Sequence, residues 1–395
     1  MKMKVVAIKS IADVSSGNTP SRRKSEYWNG SIPWITTGEL ESGYVTASKE
    51  CVTEKALKET ALKLYHKGTV LIAMYGQGKT RGTAAVLGIE ATVNQACAAL
   101  TVHSGCSKFL FYQLQNSYHA IRRLSNTGNQ ENLNAEIIKN FKILWPDELE
   151  QQKIAAILST QDKVIELKEK LLVQKQQQKK YLMQQLLTGK KRLPGFGGEW
   201  KTIHLNEISC RIETKNTVGN SNVLTISAQY GLINQTEFFD KVIASNDKSN
   251  YYLLSKDEFA YNRSYSKGYP YGTIKRLKRY VQGVVSPLYI CFAVNKKLAS
   301  LDFLEQYFEA SIINREIQSI VQEGARNHGM LNVAVDDFFR VKITMPEIEE
   351  QKEIAEILST ADHEIDLLQK SIETEKQKKK ALMQLLLTGK VRVKI

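Results

Sequence analysis

Gly78-Lys79-Thr80 closes a stretch that a phosphate-binding loop would use, with backbone amides around a phosphate and a lysine reaching toward it. Two features argue against that chemistry. Ala73 stands where the first glycine belongs, and Arg81 to Gly88 reads as glycine-broken strand, not as the helix start whose amides would hold the anion. The spacing therefore predicts a β-hairpin with a glycine-rich tip. Other reactive constellations are missing. The six histidines are far apart, the five cysteines (51, 97, 106, 210, 291) form no metal or redox pair, and no Gly-x-Ser-x-Gly elbow occurs. None of the seven prolines is adjacent to another, which excludes the Pro-Pro motif that amino-methyltransferases use to clamp a flipped base.

The residues that suggest chemistry suggest contact rather than catalysis. No acid lies between Glu258 and Asp302. In that run Arg263, Lys267, Lys275, Arg276, Lys278 and Arg279 alternate with Tyr261, Tyr265, Tyr269, Tyr271 and Tyr280. Cations neutralise phosphates and reach guanine edges, and tyrosines add hydroxyls and stacking faces. Arg22-Arg23-Lys24, then Lys79 and Arg81, form a thinner counterpart in the first half, followed by Arg122-Arg123. A loop near residue 325 adds Arg326 and Asn327. Of these, Arg22, Arg23, Lys24, Lys79, Arg81, Arg263, Tyr265, Lys267, Tyr269, Tyr271, Lys275, Arg276, Arg326 and Asn327 are the expected DNA-binding set.

The elements that must carry them come from a repeat. Residues 146–192 recur as 346–392 without a gap, with 25 identities in 47 positions. Each copy follows a proline, opens on acids and ends before a glycine (Gly189, Gly389), as one long helix does. Ile154, Leu158, Ile165, Leu172, Leu182 and Leu186 have the spacing of a coiled-coil seam, as do Ile354, Leu358, Ile365, Ile372, Leu382 and Leu386. Charge is lopsided along both helices. Residues 147–169 hold six acids and three bases, whereas 170–192 hold seven bases and no acid. The second copy repeats the bias, so an antiparallel pair is expected, acidic half against basic half.

The helices frame two heads, giving four expected segments: 1–145, 146–192, 193–345 and 346–395. Both heads read as mixed α/β. Strands are expected at 32–36, 69–74, 95–102, 223–226 and 284–292, and helices at 108–125 and 301–321. The chain has 395 residues and a net charge of +14. The first head carries +8 of this, which makes a polyanion the expected partner. No apolar stretch suits a membrane span or an export signal, so a cytoplasmic protein is expected.

On these residues the chain resembles the specificity subunit of type I restriction-modification systems. The resemblance rests on Pro146…Glu150-Gln151 and Pro346…Glu350-Gln351, and on Ile-Ala-x-Ile-Leu-Ser-Thr-x-Asp at 154–162 and 354–362. Leu-Met-Gln-x-Leu-Leu-Thr-Gly-Lys at 182–190 and 382–390 adds to it, as do Ile32 to Glu39 and Asn94-Gln95-Ala96. The second head departs from the pattern, with Ser286-Pro287 where the first has Asn94-Gln95. The resemblance implies two target recognition domains that each read half of a split duplex-DNA site. The helices would then be spacer and docking surface for two methyltransferase subunits, with restriction subunits as a further partner. It implies no catalytic centre and no cofactor in this chain, while S-adenosylmethionine, ATP and Mg would belong to the partner subunits. A different reading is a coiled-coil scaffold whose basic heads bind nucleic acid without base specificity.

Overall fold

The computed structural model describes residues 4–124, 132–227, 230–238, 247–265, 268–321 and 330–394. By compactness the chain divides into two units, Met1–Glu169 with Lys370–Ile395, and Lys170–Gln369. The boundaries fall inside the long helices rather than at their ends. The reason is that each helix end is part of a head.

The first unit is built on a five-stranded sheet in the order Ala12–Ser16, Cys97–Val102, Val70–Ala73, Ala84–Leu87, Tyr44–Val45. Its first four strands are antiparallel and the last pair is parallel. All four residues of Val70–Ala73 and of Ala84–Leu87 are buried, so these strands are covered on both faces. The helix Ser107–Asn116 supplies Phe109, Leu110 and Leu114 to that cover. Beside it, Glu50–Val52, Trp28–Ile35 and Thr92–Val93 form a three-stranded sheet with a small core of Tyr27, Trp34, Val52, Ala56 and Leu62. Lys4–Ala7 pairs with Lys142–Trp145, which leads into the first long helix, Glu148–Leu186.

The second unit repeats the plan. Its four-stranded antiparallel sheet runs Ser209–Arg211, Ile290–Val294, Phe259–Asn262, Thr273–Arg276. Lys201–His204 pairs with Lys342–Met345, which leads into the second long helix, Ile348–Leu386. The expected strand 284–292 is in fact two, Gln282–Val285 and Ile290–Val294, in different sheets. Pro287 has no N–H to give a ladder, and a turn closes there from the Tyr289 amide to the Ser286 carbonyl. The expected helix 301–321 also breaks, into Leu301–Glu309 and Asn314–Ile320, with Ser311 left-handed between them at φ 58°. Residues 108–125 likewise hold two helices, Ser107–Asn116 and Tyr118–Arg123.

The long helices are antiparallel partners within each unit. In the first, Lys379 pairs with Asp162 (2.6 Å), Lys376 with Glu169 (2.7 Å), and Lys168 with Glu375 (2.8 Å). In the second, Lys175 pairs with Glu364 (2.7 Å) and Lys179 with Asp362 (2.5 Å). From Asp162–Lys379 to Lys168–Glu375 in the first unit, and from Lys175–Glu364 to Lys179–Asp362 in the second, the partner number falls as the first rises, which is the antiparallel register. The seam is shorter than the seven-residue spacing implies. Ile154, Leu158 and Leu386 sit in the core of the first head with Phe109 and Trp145. Leu186, Ile354 and Leu358 sit in the core of the second with Phe303 and Met345. Ile165 and Ile372 are buried nearer the middle, and Leu172, Leu182, Ile365 and Leu382 are half-buried. Periodicity reports an apolar stripe but not what covers it.

Glu375 gives a test of the pairing. The Lys168 ammonium, then the Gln161 amide, hold its carboxylate at about 2, well below the ordinary value. A depressed carboxylate stabilises the fold above its unfolded value, and that contribution fades as pH falls toward the folded one. Glu375→Gln is expected to lower the urea midpoint of the full chain at pH 6. The gap from the parent should close between pH 4.5 and 2; a gap independent of pH would contradict the pairing.

Candidate nucleic-acid interface

Two buried polar clamps, one per unit, explain the repeated Glu-Gln at the helix starts. Gln151 donates from Nε2 to the Pro146 carbonyl (2.7 Å) and accepts the Cys106 amide at Oε1 (2.8 Å). Gln351 does the same with the Pro346 carbonyl (2.8 Å) and the Ser300 amide (2.8 Å). Arg192 forks onto Glu350 (2.8 and 2.7 Å), and Arg392 forks onto Glu150. Both glutamates are fully buried, so each needs its guanidinium partner. The clamps lock each helix start to its head.

Each head carries a hairpin tip of ten residues at one place in its sheet. Residues 74–83 join Val70–Ala73 to Ala84–Leu87, and residues 263–272 join Phe259–Asn262 to Thr273–Arg276. The Leu133 amide donates to the Met74 carbonyl (3.0 Å), and the Leu331 amide donates to the Arg263 carbonyl (2.9 Å). The Gly-Lys-Thr stretch and the Arg/Tyr-rich stretch are thus one element in two copies. The sequence hid this, because no aligned position of the two tips carries the same residue. The first tip is followed by a strand and not a helix, with Gly76, Gly78 and Gly82 all at positive φ.

The expected DNA-binding residues separate once placed. Arg23 is exposed, and Lys79 is exposed at the first tip. Lys24 is exposed and donates to the Tyr27 hydroxyl (2.9 Å). Arg22 stacks over Trp28 at 3.8 Å and forks onto Glu50, so half of its surface is already used. Arg81 is a correction: it is 8% exposed, under the hairpin rather than in a surface cluster. In the second head Tyr265 is 64% exposed. Arg263 instead braces the backbone, donating to the carbonyls of Leu288 (2.9 Å) and Val333 (2.9 Å). Tyr269 donates to Glu309 (3.2 Å), and burial first, then that carboxylate, pushes its hydroxyl up to about 12. Tyr271 is half-buried, and its carbonyl accepts the Tyr261 hydroxyl (2.8 Å). Lys267, Arg326 and Asn327 lie outside the described residues.

The acid-free run needs the largest correction, because other elements supply the missing acids. Arg276 is held by Asp257 (2.7 Å) and Asp302 (2.7 Å), with only 12% of its side chain exposed. Lys275 is equally covered and pairs with Glu309. Lys278 pairs with Glu305 (3.1 Å) and Arg279 with Glu237 (2.9 Å). Much of this cluster therefore holds the second head together. Arg122, read from the sequence as part of a surface cluster, instead grips the first tip together with Tyr118, which sequence reasoning passed over. Among the described residues no group of three or more His, Cys, Asp or Glu could hold a metal ion, and no helix is long and apolar enough to cross a membrane.

Comparison with known proteins agrees with this duplicated plan. The sequence model described as "Type I restriction modification DNA specificity domain" matches residues 1–177 and again 198–376. The MjaIX type I restriction enzyme specificity subunit of Methanocaldococcus jannaschii is 34% identical over 172 residues, 42% of this chain and 39% of that one. The EcoR124I/EcoR124II specificity subunit of Escherichia coli is 29% identical over 151 residues, 37% of each chain. These two matches thus span under half of either relative. The MjaVIII specificity subunit of Methanocaldococcus jannaschii aligns over 99% of this chain and 93% of its own, at 23% identity. The crystal structure of a type I restriction-modification S subunit from M. genitalium shares the fold, with a TM-score of 0.60 over 98% of this chain and 96% of that one, at 14% identity.

Proposed function

The chain belongs to the type I restriction-modification DNA specificity family, and on that membership we propose that it is the non-catalytic subunit that reads a split duplex-DNA site. Each head reads one half-site. The observation that carries this reading is the duplicated family domain, with an exposed hairpin tip at the same place in both copies. Arg23, Lys24, Lys79 and Tyr265 are the described residues we assign to DNA, with Lys267, Arg326 and Asn327 alongside them. Arg81, Arg263, Lys275 and Arg276 have structural roles that support these contacts from beneath.

The long helices serve as the spacer between half-sites. Their outer faces, rich in Gln174, Gln176, Gln177 and Gln178, take the helices of two methyltransferase subunits. S-adenosylmethionine, ATP and Mg are used by those subunits and by restriction subunits, in the cytoplasm. A scaffold that binds without base specificity would have no need of two such tips.

Methylation profiling of genomic DNA, with and without the gene, tests the reading. Loss of methylation at one split motif is expected on deletion. Replacing residues 1–145 with the first head of another family member should then change one half of that motif. A change in both halves, or in neither, would refute the two-reader assignment.

A further inference from the structure

The first tip carries its own design. No acid occurs from Thr60 to Ile89, a run of 30 residues centred on this hairpin. Gly76 and Gly78 are both at positive φ, and Gln77 stands alone between them. A side chain at Gly76 would meet Thr80 at 2.8 Å, so the glycine is needed for space as well as for φ. Gln77 and Lys79 are exposed, and neither side chain has a partner among the described residues.

The backbone beneath them is braced. The Tyr118 hydroxyl donates to the Lys79 carbonyl (2.7 Å), Arg122 Nη1 donates to the Arg81 carbonyl (2.7 Å), and Arg122 also donates to the Tyr118 hydroxyl (3.1 Å). The Gly82 amide closes the base on the Ala73 carbonyl (2.8 Å). Two unpartnered polar side chains are thus held outward on a braced ten-residue loop between buried strands. An exposed loop of this kind can reach base edges in the major groove, which is about 12 Å wide.

We propose that Gln77 is a specificity-determining residue that reads one adenine of the first half-site, pairing its amide with N6 and N7, while Lys79 fixes register on a phosphate. Tyr118 and Arg122 are positioning residues for both. This rests on the reading of the chain as a DNA specificity subunit. It adds which tip reads, which base class it takes, and which side chain reads and which anchors.

The test is methylation profiling in cells that make the full chain with its methyltransferase partners. Gln77→Ala should relax one position of one half of the motif, with discrimination there falling about 5- to 150-fold. Spacing and the other half stay unchanged. Gln77→Glu should move the preference at that position toward cytosine, whose N4 amine donates to a carboxylate. Lys79→Ala should leave the motif as it is, lower methylation at all sites alike, and reduce the salt slope of DNA binding by the purified full chain by about 1. If gene deletion abolishes methylation but Gln77→Ala leaves the motif intact, the tip assignment is overturned and the specificity-subunit reading survives. Loss of all methylation with Gln77→Ala also overturns it, because a single exposed reader should not abolish recognition. Methylation that persists on gene deletion overturns both.

Discussion

Leu158→Ala and Leu358→Ala are each expected to destabilise one unit by about 2–5 kcal/mol, the usual cost of cutting a fully buried leucine back to alanine. Both leucines are 0% exposed. Leu158 packs with the core that includes Phe109, Leu110 and Trp145, and Leu358 with the core that includes Phe303, Leu304 and Met345. Leu167→Ala, 53% exposed on the same helix as Leu158, should change stability by no more than about 0.5 kcal/mol. Urea unfolding of the full chain gives the magnitudes. Hydrogen exchange assigns them, with faster exchange in Val70–Ala73 and Cys97–Val102 for Leu158→Ala, and in Phe259–Asn262 and Ile290–Val294 for Leu358→Ala. If the helix ends formed only a two-helix seam, these strands would keep their protection while the helices lost theirs. That pattern would remove the claim that each head's core includes the ends of both long helices.

The long helices were legible because their signals are local. A proline before the start, acids in the first turn and a glycine after the end need only neighbouring residues, and Gly189 and Gly389 adopt the left-handed φ that such an end requires. Their antiparallel sense was also legible, because a charge gradient along one helix can be matched only by a reversed partner. The hairpin at Gly78-Lys79-Thr80 was legible for the same local reason: no helix-forming segment follows it. Charge in the second head was not. A run without acids in the sequence says nothing of Asp257, Asp302, Glu305 and Glu309, which fold back onto Lys275, Arg276 and Lys278 from both sides. Salt bridges are long-range facts, and 12% exposure of Arg276 follows from topology rather than composition. The kinship of the two tips was hidden in the opposite way. Their backbone positions match, down to one amide-to-carbonyl bond each, while their side chains share almost nothing. Readers of different half-sites would diverge in this way, because the frame must stay fixed while the reading groups change.

If the long helices set the spacer, as proposed, lengthening both should lengthen the tolerated spacer by a calculable amount. Seven residues make nearly two turns, about 10.5 Å at 1.5 Å per residue, and keep each helix face within about 20°. At about 3.4 Å per base pair, that adds roughly three base pairs. The insertions belong after Leu172 in the first helix and after Gln369 in the second. There they fall between the ion pairs of one unit (Lys168–Glu375, Lys376–Glu169) and those of the other (Lys175–Glu364, Lys179–Asp362), so each set stays in register. Insertion into one helix alone cannot keep both sets. It must break either the contacts of Glu375 or those of Glu364 and Asp362, and it should lower the amount of folded chain instead of giving a new motif. The measurement is methylation profiling of the paired insertion beside the parent, with both half-motifs expected to persist and only the unread gap to grow. An unchanged gap in a folded, active double insertion would mean that the helices dock partners without measuring DNA.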